Sequence, residues 1–161
     1  MSKEKLKNPP LVEAIFELRW ELQPMLGTAT NPKNNVQGDP LAVMIDPHYK
    51  ILIGKIYDKL AKEGYSYHEQ LPTATIPDEM AAYVVQHRFR KGENGWPLIQ
   101  IGPGIITLNN TEAYTWPDFE KKIAGMIKVL FETYPEPKIK GVVLRYIDSI
   151  EFDHKKDAIF D

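Results

Sequence analysis

A chain of 161 residues and 18.5 kDa is long enough for one hydrophobic core and short for two ordinary domains. Hydrophobic residues at 43% and charged residues at 26% exclude the apolar-poor, highly charged composition of disordered chains. The net charge of −2 and a pI near 6.1 argue against a globally basic nucleic-acid or membrane-surface binder, and the absence of cysteine removes disulfide scaffolds, thiolate zinc sites and thiol nucleophiles.

The N-terminus, Met1-Ser2-Lys3-Glu4-Lys5-Leu6-Lys7, mixes charges and runs into Pro9-Pro10, without the apolar stretch of a signal peptide. No apolar run approaches the roughly 20 residues that span a bilayer. The expectation is a cytoplasmic protein with no membrane contact.

Val12, Ala14, Phe16, Leu18, Trp20 and Leu22 alternate with Glu13, Ile15, Glu17, Arg19 and Glu21, the period-2 pattern of a half-buried strand. Gln23 to Asp39, rich in Pro, Gly, Asn and Thr, reads as a long surface connection. Asp46-Pro47 has the form of an N-cap followed by proline at the first helical position. Ile56 and Leu60 continue a helical stripe begun at Ile51 or Leu52, and Gly64 sits where a left-handed cap belongs, which predicts a helix over 46–63.

Tyr65 to Thr75 reads as a short strand bounded by Pro72 and Pro77, and from Met80 to Phe89 alternation predicts another, closed by Lys91-Gly92-Glu93-Asn94-Gly95 as a hairpin turn. Two further strands hold Leu98, Ile99 and Ile101, then Ile105, Ile106 and Leu108, joined at Gly102-Pro103-Gly104. Pro117 and Asp118 open a second helix with Phe119, Ile123, Met126 or Ile127, Leu130 and Phe131 on one face; Tyr134-Pro135 ends it. Ile139 to Phe152 is a final strand, with Val142, Leu144, Tyr146, Ile150 and Phe152 on one parity. The order β-α-β-β-β-β-α-β predicts one α+β domain, its largely antiparallel sheet covered on one face by two amphipathic helices.

Three segments carry a resemblance: Asn8-Pro9-Pro10-Leu11-Val12-Glu13-Ala14-Ile15-Phe16-Glu17-Leu18-Arg19; Leu98-Ile99-Gln100-Ile101-Gly102-Pro103-Gly104 through Leu108-Asn109, with Tyr114, Trp116 and Phe119; and Gly141-Val142-Val143-Leu144-Arg145-Tyr146-Ile147-Asp148-Ser149-Ile150-Glu151. In this order they resemble a sporadically distributed prokaryotic family of uncharacterised proteins. The resemblance implies no activity. Members continue for roughly another domain's length, so it implies that this chain is an N-terminal portion or a short member.

The strongest candidate site is electrostatic. Glu17, Arg19 and Glu21 share the polar parity of the first strand with Glu13, and Arg145 faces them if the first and last strands pair. A charged cleft around Glu17, Arg19, Arg145 and Asp148 would serve an enzyme or a small-ligand binder. The same residues also suit a solvated cross-strand ion-pair network worth about 0.2–1 kcal/mol per pair. Asp148 falls on the parity of Tyr146 and Ile150, where a buried carboxylate needs a partner; a bulge or a fraying strand end would turn it outward.

His48, His68, His87 and His154 lack the short paired spacings of zinc ligands, so no metal is expected. His87, Arg88, Arg90 and Lys91 with Trp96 form a local basic-aromatic patch that also reads as a soluble hairpin edge, and nucleic acid is not the expected partner. Gly102-Pro103-Gly104 lacks the spacing and the Lys-Ser/Thr of a phosphate loop, no Gly-x-Ser-x-Gly occurs, and no cofactor is implied. The leading expectation is a non-enzymatic interaction domain. Ile15, Val143 and Ile147 place apolar groups among the charges of the uncovered sheet face, for a protein partner or a second copy of the chain.

Overall fold

The computed structural model describes residues 11–25 and 43–149. Strand β1 (Leu11–Trp20) buries Ala14, Phe16, Leu18 and Trp20 on one side. Gln23–Pro24 (β2) and Met44–Ile45 (β3) pair antiparallel and close the base of the expected long connection, most of which lies outside the described residues. Helix α1 (Tyr49–Lys62) is followed by β4 (Tyr67–Gln70), β5 (His87–Arg90), β6 (Leu98–Gly102), β7 (Ile105–Asn110), helix α2 (Trp116–Thr133) and β8 (Ile139–Asp148). The main sheet is antiparallel throughout, ordered β4-β5-β6-β7-β1-β8. The α+β class and the two-helix, mostly antiparallel plan are as the sequence predicts.

Local chemistry explains the helix ends. Helix α1 begins at Tyr49 with His48 as its N-cap residue, later than the expected start at 46, and Asp46 Oδ1 just upstream accepts from the backbone N–H of His48 and Tyr49 at 3.1 and 3.2 Å. At the other end Tyr65 N–H donates to Leu60 C=O and Gly64 N–H to Ala61 C=O, with Gly64 at φ +94°, the paired bonds of a Schellman motif. Pro117 stands in the first turn of α2, where a missing N–H costs nothing.

The core lies between the helices and one sheet face. Tyr49, Leu52, Ile56 and Leu60 of α1 and Phe119, Ile123, Met126, Val129 and Leu130 of α2 pack on Phe16, Leu18, Phe89, Ile99, Ile101, Ile106 and Leu108. Fully burying side chains of this size contributes about 1.5–3 kcal/mol each.

Two strands are shorter than their patterns. Residues expected in strand from Tyr65 to Thr75 form β4 and then a 3-10 turn at Pro72–Thr75; another, Asp78–Met80, occupies the start of the alternation expected from Met80. Gln86 still bonds on both sides, N–H to Ile101 C=O and C=O from Leu71 N–H, but Tyr83 at φ +59° turns the chain out of the ladder. The turned segment lies against Gly102, where an added Cβ would sit 1.8 Å from the Val84 carbonyl oxygen. That close approach requires glycine at 102.

Candidate functional site

The pairing of β1 with both β7 and β8 settles what faces what. Glu17 stands beside Thr107 on one flank and Val143 on the other; Ile15 stands beside Asn109 and Arg145; Arg19 stands beside Ile105 and Gly141. Following the register outward, Glu69, Arg88, Gln100, Thr107, Glu17 and Val143 form one row across all six strands on the face away from the helices. Period-2 alternation alone could not assemble this row, because it depends on register between strands distant in sequence.

Polar groups along the face are largely satisfied by one another. Thr107 Oγ1 donates to Asn109 Oδ1, and Asn109 Nδ2 donates to Glu13 Oε1, both at 2.8 Å. Arg90 Nε lies 2.9 Å from Glu69 Oε2 and Arg88 Nη1 3.7 Å, while the Arg90 guanidinium sits over the Trp96 ring. The basic-aromatic hairpin patch is thus engaged in ion pairing and stacking.

Near β8 the balance changes. Glu17, Arg19, Tyr83, Lys140, Gly141, Val142, Val143 and Arg145 line a groove of about 310 Å³. Glu17 is buried, and its Oε1 lies 2.6 Å from Arg19 Nε, a close ion pair bent away from hydrogen-bond alignment. The Arg19 guanidinium lies 5.4 Å from the Tyr83 ring centre and the Lys140 ammonium 5.2 Å. A bulge between the Arg19 and Trp20 pairings lets Lys140 depart from strict alternation and reach Tyr83. Among the described residues Lys140 and Arg145 form no ion pair. The structure therefore joins Glu17, Arg19 and Arg145, three of the four sequence candidates. Asp148 lies apart from this groove, exposed at the end of β8 beside Leu11, so the costly buried carboxylate does not arise.

Ile15, Val143 and Ile147 share the same face, with Ile15 partly covered and Val143 and Ile147 exposed. The apolar exposure of β8 extends further than these. Val142, Leu144 and Tyr146, on the helix side, are 57%, 42% and 44% exposed, although they continue the rows of Leu18, Phe16 and Ala14. Among the described residues the buried core includes none from β8, because the two helices pack on the strands as far as β1.

No family model, curated protein or solved structure matches the chain. The candidate sites consequently stand on geometry.

Other polar clusters escaped the sequence. His68 Nε2 and His87 Nδ1 lie 2.8 Å apart with their rings stacked, next to Phe89 and Tyr57. They are 19 residues apart in the chain and meet because His68 pairs with Phe89 and Gln70 with His87 across β4 and β5. Burial, then the neighbouring His68, holds the His87 imidazole below its ordinary pKa. Among the described residues no group of three or more His, Asp or Glu is placed to hold a metal ion, and no helix is long and apolar enough to cross a membrane.

Proposed function

We propose that the chain is a protein-interaction domain that assembles with a second copy of itself through β8. The supporting observation is the contrast between the two edges of the main sheet. β4 is four residues of Tyr-His-Glu-Gln, whereas β8 has ten residues, no proline, and Ile139, Val142, Val143, Leu144, Tyr146 and Ile147 all at least 40% exposed. Edge strands are normally kept short, charged or interrupted, because their unpaired N–H and C=O groups recruit other strands. A long apolar edge is the template for strand addition.

The sequence of β8 favours its own copy as the added strand. Antiparallel pairing about a two-fold axis at Leu144 sets Val142 beside Tyr146 and Val143 beside Arg145, and brings Lys140 to the level of Asp148. No two like charges then stand opposite each other. The pairing would cover apolar groups on both sheet faces, including Val143 and Ile147.

Sedimentation of the purified chain and of Ile147→Lys tests this reading. The expected result is a dimer for the parent and a monomer of unchanged circular dichroism for the variant. A monomeric parent at about 100 µM, a concentration that would populate even a micromolar dimer, overturns it, as does an unchanged mass for the variant.

A further inference from the structure

A second inference concerns the groove that β1, Tyr83 and β8 form on the open face, and it rests on the side chains β8 turns to that face rather than on its backbone edge. Arg19, Lys140 and Arg145 bring three cations to it against the single carboxylate of Glu17, in a chain whose formal charge is −2. This local excess is organised. Tyr83, fixed at φ +59° with its N–H bonded to Pro103 C=O at 2.9 Å, lies against the position of Gly104 and presents its ring to both Arg19 and Lys140. Glu17 engages Arg19 through Nε, leaving the two terminal guanidinium nitrogens without a hydrogen bond or ion pair among the described residues. Terminal guanidinium nitrogens bind carboxylate or phosphate oxygens in a fork, and an ammonium adds a point charge beside them.

From this geometry we infer a binding site for a small organic oxyanion, a carboxylate or a phosphate ester that also carries a hydroxyl or amino group. The oxyanion lies among Arg19, Lys140 and Arg145. The hydroxyl or amino group donates to the second oxygen of the Glu17 carboxylate, Oε2, because Oε1 is buried against Arg19 Nε. At about 310 Å³ the groove is at the lower end of small-molecule sites, which limits the ligand to metabolite size. The buried carboxylate disfavours a ligand that is anionic throughout, since it would repel a second negative group placed on it.

Calorimetric titration of the full chain with glycerate and with glycerol 2-phosphate, against chloride at equal ionic strength, tests the site. Saturable binding of either supports it. Glycerate alone marks a carboxylate site, glycerol 2-phosphate alone a phosphate site, and both a general oxyanion site. Arg145→Gln and Lys140→Gln each weaken binding about tenfold, the loss of one charge-assisted contact, whereas Lys128→Gln, on the exposed side of α2, leaves it unchanged. Two separate variants guard against one failing to fold. No saturable binding of either probe, or equal affinity in all three variants, overturns the inference.

Discussion

Trp20 Nε1 donates a 3.0 Å hydrogen bond to Asp46 Oδ2, linking the last residue of β1 to the cap of α1. The same oxygen accepts from Gly104 N–H at 3.1 Å, so one carboxylate joins the first strand, the first helix and the β6–β7 turn. Burial raises its pKa, and the four donors oppose that rise. Asp46→Ala removes a cap and leaves a buried indole N–H unsatisfied, an expected loss of about 2–4 kcal/mol. Asp46→Asn should cost nearly as much, because an amide oriented to cap α1 turns its NH₂ toward Trp20 and Gly104. Urea unfolding of both variants checks this; parental stability in Asp46→Asn would show that the second oxygen carries no weight.

The His68–His87 pair predicts an acid-sensitive stability. The His87 pKa is depressed from 6.5 in the folded chain, so the unfolded chain binds more protons between the depressed value and 6.5. Its contribution is present above pH 6.5 and is lost as pH falls through the depressed value. Unfolding midpoints across pH 5 to 7.5 should fall on acidification in the parent and fall less in His87→Gln. Equal slopes would remove this pair as the cause.

Two glycines should respond in opposite ways. Gly102→Ala forces a Cβ into the Val84 carbonyl, and an expected loss of about 3 kcal/mol or more would accompany release of the 81–86 segment, visible as new amide exchange there. Gly125 lies within α2, and its added Cβ would meet nothing within 4 Å, so Gly125→Ala should raise stability by about 0.5–1 kcal/mol. Thermal unfolding of the two variants tests both signs.

The Glu17–Arg19 pair predicts non-additivity. Arg19→Met strands the buried Glu17 carboxylate and should cost about 1–3 kcal/mol. Adding Glu17→Gln to that variant should recover part of the loss, since a neutral amide is cheaper to bury than an uncompensated charge. A double-mutant cycle by urea unfolding measures the coupling, and strictly additive effects would mean that the ion pair is energetically idle.

Sequence alone located the elements whose signals are local. The alternation from Val12 to Trp20 marks β1, Asp46-Pro47 and Gly64 bracket α1, and Pro117 and Tyr134-Pro135 bracket α2, because strand period, helix period and capping each act within a few residues. The same alternation misled between Met80 and Gln86, where the contact with Gly102 and the turn at Tyr83 override it.

The candidate site divides along the same line. The polar parity of Glu13, Glu17 and Arg19 was legible in the sequence, and so was the place of Arg145 on the same face if the first and last strands paired. Tyr83 and Lys140 were not, because a left-handed residue and a bulge place them in the groove. Nor was the exposure of β8: Val142, Leu144 and Tyr146 have the pattern of a core strand, and only their position at the sheet edge, beyond the helices, leaves them open. Side-chain periodicity determined which face each residue takes. Whether that face is covered, and which charges meet on it, was decided by strand order and helix placement, through contacts between residues far apart in the chain.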